Sequence, residues 1–186
     1  MKTVLGAALE VQRLLSQANE QFCFIGGIAL QRWGEPRLTR DVDVTVLSHF
    51  GDEGPTADRL LAVLRPRIGD AREFAIRNRV LLLKSEGGIA VDVAFGGLPF
   101  EERCVGRSSE WALTPGAILR TCSAEDLIVL KAFASRPQDW LDVESVVIRL
   151  GDRLDWRLVF AELEPLAAVR GGTEITSRLR LLLSPP

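Results

Sequence analysis

The sequence predicts an α+β protein, in which a mixed sheet with flanking helices is followed by a small helical lobe. In the first two thirds of the chain, short apolar runs of strand length alternate with helical patterns, and two of the runs flank a glycine-containing turn. From residue 123 onward the apolar periodicity is helical throughout. We therefore expect an α/β core over residues 1–121 and a helical C-terminal lobe, packed on the core, over residues 122–186.

The first predicted elements are a helix, a strand, a second short helix and a second strand. Apolar residues at helical spacing predict the opening helix over residues 3–19. The run FCFI at 22–25 predicts a strand that ends at Gly26-Gly27, and IALQRWG then predicts a brief helix that the following glycine and proline stop. Alternation of aspartate with valine predicts the second strand, Asp41–Leu47.

The middle of the chain predicts a helix followed by a hairpin. Residues 51–55 predict a loop, and TADRLLAVLR predicts a helix that Pro66 breaks. Two apolar runs flank the turn EGG and predict a hairpin, and two weaker runs come after it. The strands predicted for this region lie at 80–84, at 89–95, near 103–107 and near 117–121.

The last third of the chain predicts a series of helices. Ser123 and Asp126 resemble a capping box before EDLIVLKAFAS, with Asp126 as a capping residue rather than a catalytic one. A second helix begins at Pro137, and Asp155 caps a third, which Pro165 bends or stops. The run TSRLRLLL predicts a last short helix.

Composition narrows the classes of function. Hydrophobic residues make up 47% of the 186 residues and charged residues 26%, as is typical of a soluble globular protein. No apolar run approaches the roughly 20 residues of a membrane span, and the N-terminus is too polar for a signal peptide, so we expect a cytoplasmic protein without membrane contact. Three cysteines without CxxC spacing are interpreted as reduced thiols, and the single histidine, His49, argues against a zinc site.

The charge balance gives no clear sign of a nucleic-acid partner. A net charge of −2 predicts no global basic field. The arginine groups at 65–67 and 77–79 are interpreted as solvated surface, with phosphate contacts as the alternative. Nucleic acid as a partner is therefore neither supported nor excluded.

The strand Asp41–Leu47 carries two acids on one face. Asp41 and Asp43 stand one strand period apart, with Cβ atoms roughly 6.5–7 Å from each other, although strands disfavour aspartate. Asp92 occupies a similar position inside the apolar run IAVDVAF. If this run pairs beside the first strand, three carboxylates converge, and their mutual repulsion requires a cation between them.

Oxygen-only ligation indicates Mg²⁺ or Mn²⁺, and three carboxylates around two ions roughly 3.5–4 Å apart suit in-line attack at phosphorus. Gly26 and Gly27 end a strand and open a helix, so a phosphate can approach their backbone and the positive end of the helix dipole. The alternative for the glycine pair is a tight turn without a ligand. The alternative for the acids is a solvent-facing strand edge.

The order of a glycine pair, thirteen residues, DVD and a later aspartate on a strand resembles the nucleotidyltransferase superfamily with the DNA polymerase β-like fold. The finer pattern GGIALQRWGEPRLTRDVDV is similar to its AbiEii-type branch of toxin and abortive-infection enzymes. The resemblance continues through VDVAFGGLPFEE and SAEDLIVLKAFASRPQDWLDVESV, so that it covers residues 22–150. In the RDxxD-like element of the branch, Gln138 stands where the branch has arginine.

This resemblance implies a nucleotidyltransferase fold and the metal-dependent transfer of a nucleoside monophosphate from an NTP to an acceptor hydroxyl. It implies that Asp41, Asp43 and Asp92 hold two ions of Mg²⁺ or Mn²⁺, that Asp92 helps to deprotonate the hydroxyl, and that Lys131 assists catalysis. The groups implied to bind the nucleotide and its phosphates are Gly26, Gly27, Arg40, Lys131 and Asp139.

Several alternatives stay open at this level. The acceptor is RNA, with tRNA among the candidates, a protein or a small hydroxyl compound, and the toxin interpretation adds an antitoxin protein as a partner. A catalytically silent nucleotide- or partner-binding module with the same fold is the main alternative to an enzyme. Lys131 is interpreted either as a cleft residue or as a surface lysine on an amphipathic helix.

Overall fold

The computed structural model describes residues 3–170 and 173–183, and the chain divides by its internal contacts into two compact units. The first unit comprises the chain up to Ile28 together with Arg37–Cys122. The second comprises the segment between these two stretches and the residues from Ser123 onward. The division into one domain over residues 1–121 and another over residues 122–186 stays a prediction.

One mixed sheet forms the centre of the first unit. Its strands, in chain order, are β1 (Phe22–Phe24), β2 (Asp41–Leu47), β3 (Arg65–Pro66), β4 (Val80–Lys84), β5 (Ala90–Gly96), β6 (Ser109–Thr114) and β7 (Ala117–Thr121). Their spatial order is β3-β4-β5-β2-β1-β7-β6. β2 runs parallel to β5 and β1 runs parallel to β7, whereas the other neighbouring pairs are antiparallel. The predicted mixed sheet of an α+β fold is confirmed.

Helices connect these strands and make up most of the second unit. The helices are α1 (Val4–Gln17), α2 (Gly26–Trp33), α3 (Glu53–Leu61), α4 (Ala71–Asn78), α5 (Pro99–Gly106), α6 (Ala124–Ala134), α7 (Pro137–Leu150), α8 (Trp156–Val169) and α9 (Glu174–Leu183). α2 begins in the first unit and continues into the second, and α6 to α9 all belong to the second. None of the helices in the described ranges combines the length and the apolar content needed to cross a bilayer.

The core of the first unit lies on one face of the sheet. The valines of β2 that alternate with the acids, Val42, Val44 and Val46, are fully buried. They cluster with Val91 and Val93 of β5 and with apolar residues of α1. Because successive side chains of a strand point to opposite faces, this packing directs the three aspartates to the other face of the sheet, where they are half-buried.

In the second unit, α6 is buried on nearly every side. Its buried residues include leucine, isoleucine and valine as well as Asp126 and Lys131. Ser123 caps this helix by accepting a hydrogen bond from the backbone N–H of Asp126, and its hydroxyl donates to the Asp126 carboxylate. Asp126 thus has the capping position that the sequence predicts. An all-round apolar sequence such as EDLIVLKAFAS is typical of a central helix.

Most predicted elements are confirmed, including β1, β2, the hairpin of β4 and β5, β7 and the helices of the second unit. The strand predicted near 103–107 is wrong, because these residues belong to the end of α5 and the turn after it. Pro99 occupies the first turn of α5, where a missing N–H costs nothing, and the Glu101 carboxylate accepts hydrogen bonds from the backbone N–H groups of Gly97 and Leu98. These are start signals of a helix.

Further expectations also differ from the structure. The loop predicted over residues 51–55 already contains the start of α3, at Glu53, and α4 was not predicted at all. Pro165 lies inside α8, so of the two predicted effects, bending or stopping the helix, stopping is wrong. Because proline has no N–H, the carbonyl of Ala161 loses its helical partner. Pro165 and Ala161 are both exposed, so water can form a hydrogen bond with that carbonyl. On the opposite side, the buried Leu163 holds the helix in place.

Candidate active site

The three acids lie on adjacent parallel strands. Asp43 of β2 is in direct register with Asp92 of β5, and Asp41 is in register with Ala90. Neighbouring strands lie about 4.8 Å apart, so Asp43 and Asp92 start side by side on the same face, and Asp41 follows one strand period away. The neighbour relation on which the predicted convergence of carboxylates depends is therefore present.

Gly26 makes room for the side chain of Asp43. A Cβ atom at Gly26 would lie 2.8 Å from Asp43 Cγ and 2.9 Å from Asp43 Cβ, closer than real Cβ contacts allow. Gly26 also has a φ of +55°, a left-handed conformation that glycine adopts without strain. The backbone carbonyl of Asp43 accepts a hydrogen bond from the N–H of Ile25. The start of α2, with its partial positive charge, is thereby held against a carboxylate.

Gly27 plays the same steric role for Thr39. A Cβ atom at Gly27 would lie 2.7 Å from Thr39 Cβ. The Thr39 hydroxyl donates a hydrogen bond to Asp41 Oδ1 at 3.1 Å, and Thr39 is 9% exposed. Each residue of the glycine pair therefore supports one acid of β2, Gly26 directly and Gly27 through Thr39. Their role as a phosphate cradle stays a prediction.

Replacing Gly26 with alanine is expected to destabilise the protein by about 2–5 kcal/mol, since the left-handed backbone costs an L-residue about 1–2 kcal/mol and the forced overlap with Asp43 adds about 1–3 kcal/mol. Gly88, with a φ of +82° and open space at the position of an added Cβ, is a matched control. Gly88→Ala should cost only the backbone strain. Urea unfolding of both variants measures the difference, and equal costs would show that Asp43 does not press on Gly26.

Asp92 has a cation beside it. Arg67 Nη2 lies 2.7 Å from Asp92 Oδ1, and the two side chains are 32% and 35% exposed. Oδ1 itself is buried, and within the described part of the chain no donor makes a hydrogen bond of good geometry to it. Arg67 follows β3, at the edge of the sheet, and its backbone N–H donates to the carbonyl of Leu82 on β4. Its guanidinium therefore reaches Asp92 across β4, from the side away from β2.

The trio of Asp41, Asp43 and Asp92 provides suitable ligands for a divalent metal, although the three side chains do not form a closed ligand set. Among the described residues, no three His, Cys, Asp or Glu side chains converge closely enough to hold a metal ion. Three features nevertheless fit Mg²⁺ or Mn²⁺. The donors are carboxylate oxygens, one buried oxygen of Asp92 lacks a hydrogen bond, and Asp43 and Asp92 are register neighbours.

Lys131 belongs to a buried cluster of charges in the second unit. Its ammonium lies 3.0 Å from Asp139 Oδ1 and 2.7 Å from Asp142 Oδ2, and Lys131 is 7% exposed. Arg136 Nε donates to Asp139 Oδ2 at 2.6 Å, and Gln138 donates to Asp142 Oδ1. These contacts join α6 to α7. The interpretation of Lys131 as a surface lysine is wrong.

The two cations beside Asp139 stabilise the charged form of its carboxyl group. Burial raises the pKa of its carboxyl, but hydrogen bonds from Arg136 and Lys131 outweigh that effect and hold the pKa below the ordinary value of 3.8. The charged form contributes stability at any pH above the unfolded pKa, and this contribution is lost as the pH falls through the lowered value. The catalytic and nucleotide-binding roles of Lys131 and Asp139 stay predictions.

Of the remaining candidate residues, Arg40 is exposed and directly precedes β2. Two residues at the acids were not singled out from the sequence. Thr39 lies two residues before Asp41, which places both side chains on the same face of an extended chain, and this spacing could have predicted their contact. The sequence favours solvated surface for Arg67, and nothing in its local sequence indicates the contact with Asp92, which depends on the order of β3, β4 and β5 in the sheet.

Comparisons with known proteins identify a family and a shared fold. Residues 8–181 match the family described as "Nucleotidyl transferase AbiEii toxin, Type IV TA system". No curated protein sequence matches the chain.

Two solved structures of the antibiotic-resistance factor ANT(2'')-Ia share the fold. Its solution structure aligns with a TM-score of 0.56 at 15% identity, over 94% of this chain and 96% of that chain. Its crystal structure with adenylyl-2''-tobramycin aligns with a TM-score of 0.57 at 14% identity, over 90% and 98% of the two chains. At this level of identity the likeness shows a common nucleotidyltransferase fold and leaves the acceptor open.

Proposed function

Because this chain belongs to the AbiEii family of nucleotidyl transferases, we propose that it transfers a nucleoside monophosphate from an NTP to an acceptor hydroxyl in a reaction that requires Mg²⁺ or Mn²⁺. The observation that carries the proposal is the placement of Asp43 and Asp92 in direct register on adjacent parallel strands, with Asp41 on the same face of β2. Three acids on half-buried strand positions are costly unless a cation compensates them.

In the proposed reaction, the acceptor oxygen attacks the α-phosphorus of the NTP and the bond from that phosphorus to the bridging oxygen breaks. Pyrophosphate leaves, and the hydroxyl proton passes to a carboxylate of the trio, for which Asp92 is the candidate. Asp41, Asp43 and Asp92 would hold the metal, which supplies charge neutralisation for the triphosphate when it is bound. The residues themselves orient the reactants, since such transfers need little covalent assistance.

Around the trio, the local structure favours fixed positions for the acids of β2. Thr39 orients Asp41 by a hydrogen bond, and Gly26 allows Asp43 to lie against the start of α2. Preorganised groups of this kind cost no reorganisation during the reaction. Arg40, exposed just before β2, is a candidate contact for the triphosphate, and we retain Lys131 and Asp139 as further candidates whose buried pairing argues first for a structural role.

The family description supports a biological context. We propose that the protein is the toxin of a toxin–antitoxin pair, with an antitoxin protein as its counterpart. The acceptor is RNA, a protein or a small hydroxyl compound. The fold shared with ANT(2'')-Ia, whose crystal structure contains adenylyl-2''-tobramycin, gives the small-molecule acceptor a specific precedent.

A labelled-transfer experiment tests the proposal. The purified protein is incubated with each of the four α-³²P-labelled NTPs and Mn²⁺ or Mg²⁺, together with total RNA, a soluble proteome or a mixture of small hydroxyl compounds that includes tobramycin. We expect label in one of the three acceptor pools, release of pyrophosphate, and loss of both with EDTA. Tight binding of NTP and metal without transfer to any pool would instead identify a nucleotide-binding module.

A further inference from the structure

Asp92 is the acid of the trio that already has a cation of the protein beside it. The Arg67 guanidinium lies 2.7 Å from the same carboxylate oxygen, Oδ1, that is buried without a hydrogen bond of good geometry in the described residues. β3 and β4 lie outside β5, whereas β2, with the other two acids, lies on its inner side. Arg67 therefore attracts the carboxylate of Asp92 towards the edge of the sheet.

We propose that Arg67 holds Asp92 when no metal is bound and that a divalent cation completes its site on the trio only by displacing Arg67 from this carboxylate. The inference rests on the proposed metal-dependent function. It explains why the three acids, which lie on adjacent strands and on the same face of the sheet, do not form a closed ligand set among the described residues. It makes Arg67 a positioning residue, acting through Asp92.

The chemistry of the pair favours exchange over a permanent contact. A guanidinium and a divalent cation use the same carboxylate lone pairs, and both positive charges would repel each other if they shared Oδ1. The two side chains are each about one third exposed although Oδ1 itself is buried, so water reaches the guanidinium and lowers the cost of separating it from Asp92. Arg67 follows a strand of only two residues at the sheet edge, so its side chain can rotate without disturbing the core.

The same strand supplies a matched control. Arg65 stands one strand repeat before Arg67, is exposed, and is in register with Lys84 rather than with an acid. Arg65→Gln removes the same charge from the same edge as Arg67→Gln but leaves Asp92 with its partner. The comparison separates displacement of a specific contact from a general effect of charge on cation binding.

Isothermal titration of the full chain with Mn²⁺, without nucleotide, tests the proposal on the wild type, Arg67→Gln, Arg67→Lys and Arg65→Gln. For an ion pair about one third exposed, we expect Arg67→Gln to bind Mn²⁺ about three- to fivefold more tightly than the wild type. Arg65→Gln should stay within about twofold, and Arg67→Lys should lie between the wild type and Arg67→Gln because it keeps the charge but loses the planar fork. Without metal, Arg67→Gln should also melt at a lower temperature, since Asp92 then lacks its partner.

Each result decides the matter. Tighter binding by Arg67→Gln alone, or Mn²⁺ binding that becomes measurable only in that variant, supports displacement. An equal gain in Mn²⁺ affinity for Arg67→Gln and Arg65→Gln, or no gain for either, would overturn displacement. In that case, Mn²⁺ binding by the wild type would still leave the proposed function standing. Absence of Mn²⁺ binding in all four proteins would overturn both the displacement and the metal dependence of the proposed function.

Discussion

Replacing Asp43 with asparagine is expected to lower nucleotidyl transfer by at least about 100- to 1,000-fold, because removal of one preorganised electrostatic group from such a site typically costs that much. Asp43 stands between the other two acids of the trio, next to Asp92 across the strands and one repeat after Asp41. Asparagine keeps the shape that fits over Gly26 but provides a weaker ligand without charge. The folded protein should therefore keep its structure and lose its reaction.

Stability provides the internal check for Asp43→Asn. We expect its melting temperature to stay nearly unchanged or to rise, since the substitution removes a like charge from beside Asp92 and Asp41. Asp52→Asn is the control for loss of an acid, because Asp52 is exposed and its side chain makes no capping hydrogen bond. Transfer is measured with α-³²P-labelled NTPs. A fall of several degrees with transfer intact would show that Asp43 is a structural acid.

Strand β2 shows which part of the fold can be predicted from the sequence. Its bounds, Asp41–Leu47, follow from the alternation of valine and aspartate, and burial of the valines alone determines the face on which the acids lie. The hairpin of β4 and β5 follows equally from two apolar runs and a glycine turn. These signals are local, because side-chain alternation with a period of two residues is enough to predict the strands.

The contacts of the acids could be predicted less well, because they depend on which strands become neighbours. The sheet order β3-β4-β5-β2 brings Arg67 to Asp92 from a segment that precedes it by more than twenty residues, and no periodicity encodes that order. Helix α5 was missed for a different reason. Its short sequence has weak apolar periodicity, and the decisive signals were Pro99 in the first turn and Glu101 two residues later.

The glycine pair illustrates how one motif can have more than one physical cause. The sequence suggests that Gly26 and Gly27 leave space for a phosphate, whereas in the structure their missing side chains already leave space for Asp43 and Thr39. The two roles are compatible, because the steric requirement concerns the Cβ position and a phosphate would use the backbone N–H groups. The motif therefore predicts the residues that organise the site more firmly than it predicts their ligand.

Replacing Lys131 with alanine is expected to destabilise the protein by about 3–5 kcal/mol, the usual cost of removing one partner of a buried ion pair. The substitution leaves Asp142 without its ammonium partner and Asp139 with Arg136 alone, while both carboxylates stay almost fully buried. For a chain of this length the loss should lower the melting temperature by about 10 °C. Lys131→Arg should recover part of it, since it restores a donor with the same charge.

Lys84 provides the matched control, because it is an exposed lysine at the end of β4 whose replacement by alanine should change stability by no more than about 0.5 kcal/mol. Transfer activity, measured below the melting temperature of each variant, separates the two interpretations of Lys131. If Lys131 only joins α6 to α7, the Lys131→Ala protein that remains folded should retain its KM for NTP. A large rise in KM with unchanged stability would contradict the structural role and place the ammonium at the nucleotide.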